Sequence, residues 1–169
     1  MADEARAPLV NGNGKLAFAL AAVVVVLDQA IKAFLLGPFD LLDKGLVKVI
    51  PLFALDSVWN PGVAFGMLRA ESPTGRWLLV GFAACVVVAL GLWARRMDRW
   101  LGAVGVGLIM GGAIGNNVID RVRWGEVFDY LHWTGPFFPW VINLADASIS
   151  VGVGVLVLDS LIDARHAKR

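Results

Sequence analysis

Long apolar stretches alternate with short polar links along this chain. Four stretches fall in the range of about 17–25 residues that a helix needs to cross a bilayer; they cover residues 15–36, 76–93, 100–119 and 138–162. The hydrophobic fraction of 58% exceeds the roughly 45–50% of an ordinary soluble domain. The pattern predicts an integral membrane protein, mainly α, with four transmembrane helices in a single domain over residues 1–169.

The basic residues of the short segments predict the orientation. The link at 94–99 carries three Arg, and the C-terminal tail at 163–169 carries three further Lys or Arg residues. Because Lys and Arg in short loops favour the cytoplasmic side, we expect both termini in the cytoplasm. The segments 37–75 and 120–137 are then extracytoplasmic.

The first outer segment, at 37–75, is too long for a bare connector. It contains two runs of β-prone residues, 46–50 and 53–55, separated by Pro51. We therefore expect a small strand pair between the first and second transmembrane helices. The net charge of +1 gives no indication of a polyanion-binding surface, and the single cysteine excludes an intrachain disulfide.

Two carboxylates lie close to or inside apolar sequence, and they are the leading candidates for chemistry. Asp129 follows the third predicted span, and Asp146 is expected about eight residues into the fourth, roughly 12 Å along the helix axis. A carboxylate in hydrocarbon is costly unless it has a partner or a task. Two that face one site can share a proton and activate water. Considered alone, Asp129 also fits a solvated surface residue and Asp146 a helix-packing hydrogen bond.

Other polar residues fall at unexpected places. Asp28 and Lys32 lie four residues apart in the first span, on one helix face, which favours a structural ion pair. Asn143 precedes Asp146 by one turn, and Asn60-Pro61-Gly62 is typical of a turn. Asp120 and Arg121 are adjacent and cannot face each other on a helix, so each needs another partner.

Several other kinds of site are not indicated. His132 and His166 are the only histidines, and neither has a second ligand at metal spacing. Phosphate-loop, dinucleotide and serine-nucleophile motifs are absent from the sequence. A small ion-coupled membrane transporter remains an alternative, since intramembrane Asp, Asn and Lys also suit an ion pathway. A non-catalytic membrane scaffold is a second alternative.

Five short motifs, taken together and in order, resemble the signal peptidase II (lipoprotein signal peptidase) family of aspartyl peptidases. The resemblance covers about residues 16–160 and rests on Asp28-x-x-x-Lys32, Asn60-x-Gly62-x-Ala64-Phe65, Gly111-Gly112-Ala113 with Asn117-x-x-Asp120-Arg121, Gly125-x-Val127-x-Asp129, and Asn143-x-Ala145-Asp146. One departure is the doubled Asn116-Asn117, where the family usually has a single Asn. Asn117 keeps the three-residue spacing to Asp120, so we assign the family role to it.

The resemblance implies a function and a set of site residues. Asp129 and Asp146 would be the catalytic dyad, in roles that the sequence leaves open, with no metal or cofactor. The residues that would line or support the site are Asn60, Asn117, Arg121, Asn143, Asp28 and Lys32. The substrate would be a bacterial prolipoprotein with a diacylglyceryl-modified cysteine, cut just before that cysteine. We expect a monomer in the bacterial inner membrane, with lipid and prolipoprotein but no nucleic acid as partners, and an active site near the periplasmic face.

Overall fold

Four long apolar helices dominate the computed structural model, which describes residues 8–62, 72–136 and 140–166. Helix α1 spans Gly12–Leu36, α3 spans Pro73–Ala94 and α6 spans Leu144–His166. The third long helix consists of α4 (Trp100–Ala113), a π-helical segment (Ile114–Asp120) and α5 (Arg121–Arg123). Each of the four is long and apolar enough to cross a membrane. The predicted four-helix membrane architecture is therefore confirmed.

Local capping explains where two of these helices begin. The side chain of Asn11 accepts a hydrogen bond of 2.8 Å from the Gly14 amide at the start of α1. Ser72 does the same for Gly75 at 3.1 Å, and Pro73 follows it at the first position of α3. Such caps satisfy backbone donors that have no partner inside the helix. Proline is tolerated there because its missing N–H would be unpaired anyway.

Helix α4 lies between α1 and α6, and small residues allow the close approach. A Cβ atom on Gly107 would lie 2.6 Å from the Ala17 carbonyl oxygen of α1. A Cβ atom on Gly152 of α6 would lie 2.7 Å from the Gly105 carbonyl oxygen. In a bilayer, small residues of this kind let helix backbones pack closely. The packing brings the outer ends of α1, the third helix and α6 together.

A four-stranded antiparallel sheet covers one end of the helices, in the order β1-β2-β3-β4. The short helix α2 (Leu41–Lys44) precedes β1 (Val47–Ile50) and β2 (Phe53–Asn60), so the predicted strand pair is present. Strands β3 (Val127–Trp133) and β4 (Val141–Ile142) complete the sheet and were not predicted from the sequence.

Strand β4 also changes the expected start of the fourth helix. Residues 141–142 pair with β3, so α6 begins at Leu144 and not near residue 138. Asp146 is consequently in the first turn of α6, and the expectation of about eight residues of helix before it was wrong. This places Asp146 at the same level as the sheet.

The start of α1, the end of α6 and the link between α3 and α4 lie at the opposite end of the described structure from the sheet. The Asn11 amide N–H donates to the Arg95 carbonyl at 3.0 Å, which ties the start of α1 to that link. Arg99 forms ion pairs of 2.8 Å with Asp159 and 2.7 Å with Asp163 near the end of α6. The start of α1 and the end of α6 therefore lie at the same end of the molecule as the Arg-rich link.

Candidate active site

Asp129 lies in strand β3, and its side chain is buried. Strand β2 runs alongside with Asn60 opposite Val127, and the Asn60 amide donates to Asp129 Oδ2 at 3.1 Å. The side-chain amide of Asn143 donates from Nδ2 to the other carboxyl oxygen, Oδ1, at 2.6 Å. Each carboxyl oxygen of Asp129 thus has an amide donor, from a different element of the fold.

Asp146 and Asn143 form a reciprocal cap at the start of α6. The Asn143 side chain accepts from the Asp146 amide at 2.9 Å, and the Asn143 amide N–H donates to Asp146 Oδ2 at 3.3 Å. This is the arrangement of a capping box, with Asn and Asp in place of the usual Ser or Thr and Glu. A carboxylate in the first turn is also favoured by the helix dipole. The same contacts that start α6 therefore hold the Asp146 carboxyl group in place.

Asn143 connects the two aspartates, because its side-chain amide donates to Asp129 while its main-chain N–H donates to Asp146. The two carboxyl groups also influence each other electrostatically. Burial, and next the nearby charge of Asp146, raise the pKa of Asp129 to about 8. Burial beside a second carboxylate therefore disfavours the ionised form of Asp129.

Lys32 and Asp28 form the expected ion pair, with 2.8 Å between Nζ and Oδ2 and both side chains fully buried. The structure adds a second carboxyl group, since Asp120 Oδ2 lies 2.6 Å from the same Nζ atom. Asp120 is thereby paired with Lys32 and not with its neighbour Arg121. A buried ammonium group needs partners of this kind because an unpaired buried charge is strongly destabilising.

Arg121 holds the turn that follows β2. Its guanidinium group donates to the Pro61 carbonyl at 3.1 Å and to the Gly62 carbonyl. Within the turn, Asn60 Oδ1 accepts from the Gly62 amide at 2.9 Å. Arg121 therefore fixes the turn in which Asn60 is placed against Asp129. Two further residues of the same sequence motif, Ala64 and Phe65, lie outside the described residues.

Of the two adjacent asparagines, Asn116 and not Asn117 contacts Asp146, which the sequence did not indicate. Asn116, to which we assigned no role, donates to Asp146 Oδ1 at 2.8 Å and accepts from Lys32 Nζ at 2.7 Å. Asn117, which we placed at the site, instead accepts from Arg121 Nε at 3.4 Å. Both belong to the π-helical segment. A π-helical turn holds one more residue than an α-helical turn, so the duplication itself was the available signal.

Tyr130 is a second residue that the sequence interpretation passed over. Its hydroxyl oxygen accepts from the Leu144 amide at 3.2 Å, at the first position of α6. Burial raises the pKa of Tyr130 above its usual range, which keeps the hydroxyl neutral. Tyr130 therefore joins β3, which carries Asp129, to the helix that carries Asp146.

The histidines of the described residues lie apart from this network. His132 Nδ1 is 3.2 Å from Asp56 Oδ2 on the neighbouring strand. In the described parts of the chain, no three His, Cys, Asp or Glu side chains are grouped as a metal site requires.

Comparison with known proteins adds independent findings. The sequence family described as signal peptidase (SPase) II matches residues 20–162. A lipoprotein signal peptidase of Caulobacter vibrioides is 49% identical over 160 residues, which cover 93% of each chain. One from Rhodopseudomonas palustris is 45% identical over 151 residues, covering 86% of this chain and 92% of its own. A solved bacterial membrane enzyme superimposes with a TM-score of 0.76 at 27% identity, covering 89% of this chain and 90% of its own.

Proposed function

This chain belongs to the signal peptidase II family of membrane peptidases, which remove signal peptides from lipoproteins, and we propose that Asp129 and Asp146 are its catalytic dyad. The observation that carries the proposal is Asn143, whose amide groups contact both carboxyl groups. Family membership makes the chain a peptidase and leaves the transporter and scaffold alternatives without support.

The two aspartates take different roles in the proposed mechanism. Asp129 carries the shared proton at neutral pH, since its pKa is raised to about 8. Asp146 is the ionised partner, because the Asn116 amide, the Asn143 N–H and the start of α6 all stabilise a negative charge there. Asp146 therefore acts as the general base and Asp129 as the general acid.

The reaction is hydrolysis of one peptide bond by a bound water molecule. Asp146 takes a proton from the water while the water oxygen forms a bond to the scissile carbonyl carbon. Asp129 donates its proton to the carbonyl oxygen. Collapse of the tetrahedral intermediate breaks the C–N bond: the proton held by Asp146 goes to the leaving amine, and one hydroxyl proton of the intermediate returns to Asp129 as the new carboxyl group forms. The products are the carboxyl group of the signal peptide and the free amino group of the mature lipoprotein. The two carboxyl groups and water suffice for these steps, so the proposal includes no metal or cofactor.

The proposal extends to substrate and location. We infer from the family resemblance that the substrate cysteine carries a diacylglyceryl group and that the cut falls just before it. The acyl chains would stay in the bilayer and approach between helices. Because Asp146 is in the first turn of α6, water near the outer interface can reach the dyad. We propose that both termini lie in the cytoplasm and that the enzyme acts as a monomer, with no nucleic acid as a partner.

Cleavage of a diacylglyceryl-modified prolipoprotein by the purified chain tests the proposal. Asp129→Asn and Asp146→Asn should each abolish cleavage, while Asp43→Asn, which changes an exposed carboxylate of α2, should cleave like the wild type. Thermal unfolding of each variant shows whether it is folded. Cleavage by a folded Asp129→Asn or Asp146→Asn variant would refute the dyad.

A further inference from the structure

The Lys32 ammonium group is enclosed by three oxygen acceptors. Nζ lies 2.8 Å from Asp28 Oδ2, 2.6 Å from Asp120 Oδ2 and 2.7 Å from Asn116 Oδ1. An ammonium group has three donors, so each hydrogen has one acceptor. Lys32, Asp28 and Asp120 have no exposed side-chain surface. We call these four residues the lysine hub.

Two acceptors of the lysine hub also hold main-chain atoms beside the dyad. Asp120 Oδ2 accepts from the Phe128 amide at 3.3 Å, and Phe128 directly precedes Asp129. Asp28 Oδ1 accepts from the Ala145 amide at 3.2 Å, and Ala145 directly precedes Asp146. One carboxyl group thus holds the backbone of β3 and the other holds the first turn of α6, with Lys32 between them.

The third acceptor reaches the dyad through side chains. Asn116 Nδ2 donates to Asp146 Oδ1 at 2.8 Å. Asn116 and Asn143 also exchange amide hydrogen bonds of 3.1 and 3.0 Å, and Asn143 donates to Asp129. Asn116 is therefore linked directly to one aspartate and through a single residue to the other.

One helix supplies two of the three acceptors, from residues four apart on one helix face. Asn116 and Asp120 both belong to Ile114–Asp120 and both contact the same Nζ atom. The side chain of Asn117, the next residue after Asn116, contacts Arg121 instead. The wider turn accommodates the additional asparagine while both hub residues still face Lys32. Such π-helical insertions frequently occur at functional sites.

We propose that the lysine hub sets the spacing of Asp129 and Asp146, and that Asn116 and Asp120 are positioning residues for peptide cleavage. This rests on the proposed function, because it takes the two aspartates as the dyad. The hub is buried beneath the carboxyl groups, so it acts on the dyad and not on bound substrate. Disturbing the hub should lower kcat and leave KM nearly unchanged.

Lys32 also acts on the dyad through its charge, since the ammonium group lowers the pKa of Asp129. The other charged groups around the dyad are Asp28 from α1, Asp120 and Arg121 from the third helix, Glu126 from the turn before β3, and Asp146 from α6. Replacing Lys32 by Met keeps a long apolar stem and removes the positive charge. The basic limb of the pH–rate profile should then move to higher pH.

Kinetics of the full-length purified protein on a diacylglyceryl-modified prolipoprotein test the hub. Asn116→Ala and Asp120→Ala should each lower kcat about tenfold or more, the rate equivalent of one lost hydrogen bond to a charged group. KM should stay within about twofold of the wild type, since the hub acts on the dyad and not on bound substrate. Asn13→Ala, which removes amide hydrogen bonds at the opposite end of α1, should keep the wild-type kcat. For Lys32→Met, the pH–rate profile is measured as well. If Lys32→Met does not fold, the kcat of Asn116→Ala tests the hub proposal.

The outcomes separate the hub from the proposed function. If folded Asn116→Ala and Asp120→Ala cleave at the wild-type kcat while both Asp→Asn dyad variants are inactive, the hub proposal is wrong and the dyad stands. A rise in KM without a fall in kcat would also overturn the hub, because it would indicate a substrate contact. If folded dyad variants still cleave, the dyad and the hub fall together.

Discussion

Replacement of Asn143 gives the sharpest separation of folding from catalysis at this site. Asn143 is fully buried and performs two tasks with different atoms. Its Oδ1 caps α6 by accepting from the Asp146 amide, and its Nδ2 donates to Asp129 at 2.6 Å. Serine retains an oxygen that can cap a helix but has no amide group to reach Asp129. Alanine has neither.

The magnitudes follow from these two contacts. Loss of an N-terminal cap costs about 0.5–2 kcal/mol of stability, and Asn143→Ala should lower the free energy of unfolding by at least that amount. Asp129 is protonated in the proposed mechanism, so loss of its hydrogen bond from Asn143 is worth about 0.5–1.5 kcal/mol, which corresponds to roughly a 2- to 13-fold loss of kcat. Asn143→Ser should therefore lower kcat while retaining most of the stabilisation from the helix cap. Asn143→Ala should lose both.

The assay compares the three proteins by cleavage kinetics and by thermal unfolding in the same detergent. We expect similar losses of kcat for Asn143→Ser and Asn143→Ala, with a lower melting temperature for Asn143→Ala. Asn13→Ala is the matched control for removal of an asparagine side chain at the other end of the molecule.

A folded Asn143→Ser variant with the wild-type kcat would refute the reasoning, because the amide contact to Asp129 would then be dispensable. Equal melting temperatures for Asn143→Ser and Asn143→Ala would refute the capping part alone.

Two further predictions concern pH and orientation. In the proposed mechanism Asp129 must hold a proton, and its pKa is raised to about 8, so cleavage should fall about tenfold per pH unit above that value. Asn60→Ala removes a donor that stabilises ionised Asp129 and should move this basic limb of the pH–rate profile to higher pH. An unchanged basic limb would contradict the assignment of the proton to Asp129. Orientation can be tested with an impermeant thiol reagent added to intact spheroplasts, in a Cys85→Ala background. A cysteine near either terminus, introduced as Leu9→Cys or Arg165→Cys, should not be labelled, whereas Asp43→Cys should be labelled. Labelling of Leu9→Cys or Arg165→Cys would contradict the proposed orientation.

The helices could be predicted from the sequence because their signal is local. About twenty consecutive apolar residues specify a membrane helix whatever lies elsewhere in the chain. The i,i+4 pair of Asp28 and Lys32 was equally local and has the expected contact. The strand pair before Asn60 was found because its two runs are neighbours in sequence.

Strand β3 could not be found in this way. Its first four residues, 127–130, are all buried, so the strand lacks the alternation of buried and exposed positions that identifies a half-buried strand. Its partners are distant in sequence, as in the pairing of Trp133 with Phe53. The strand exists because β2 offers an open edge, and that depends on the tertiary fold.

The difference between Asn116 and Asn117 also depends on the tertiary fold. Spacing alone favoured Asn117, because it lies three residues before Asp120, as in the motif that carries the family resemblance. The position of Lys32 on a neighbouring helix decides which asparagine faces the dyad, and the π-helical segment brings Asn116 there. Asn116 and Asn117 lie four and three residues before Asp120, and both spacings place residues on one helix face, so spacing alone could not choose between them.

Burying charged groups near a membrane boundary costs free energy, and this cost explains why the charged residues of the site have partners. Lys32, Asp28, Asp120 and Asp129 are all buried. The charge of Lys32 is balanced by Asp28 and Asp120, and Asp129 is tolerated because Asn60 and Asn143 donate to it. A network of this kind is stable when complete and much weaker when one member is missing. The groups that stabilise the ends of the helices thus also hold the carboxyl groups of the proposed dyad in place. Substitutions within the network should consequently be non-additive, because the first loss already releases the constraint that the second would remove.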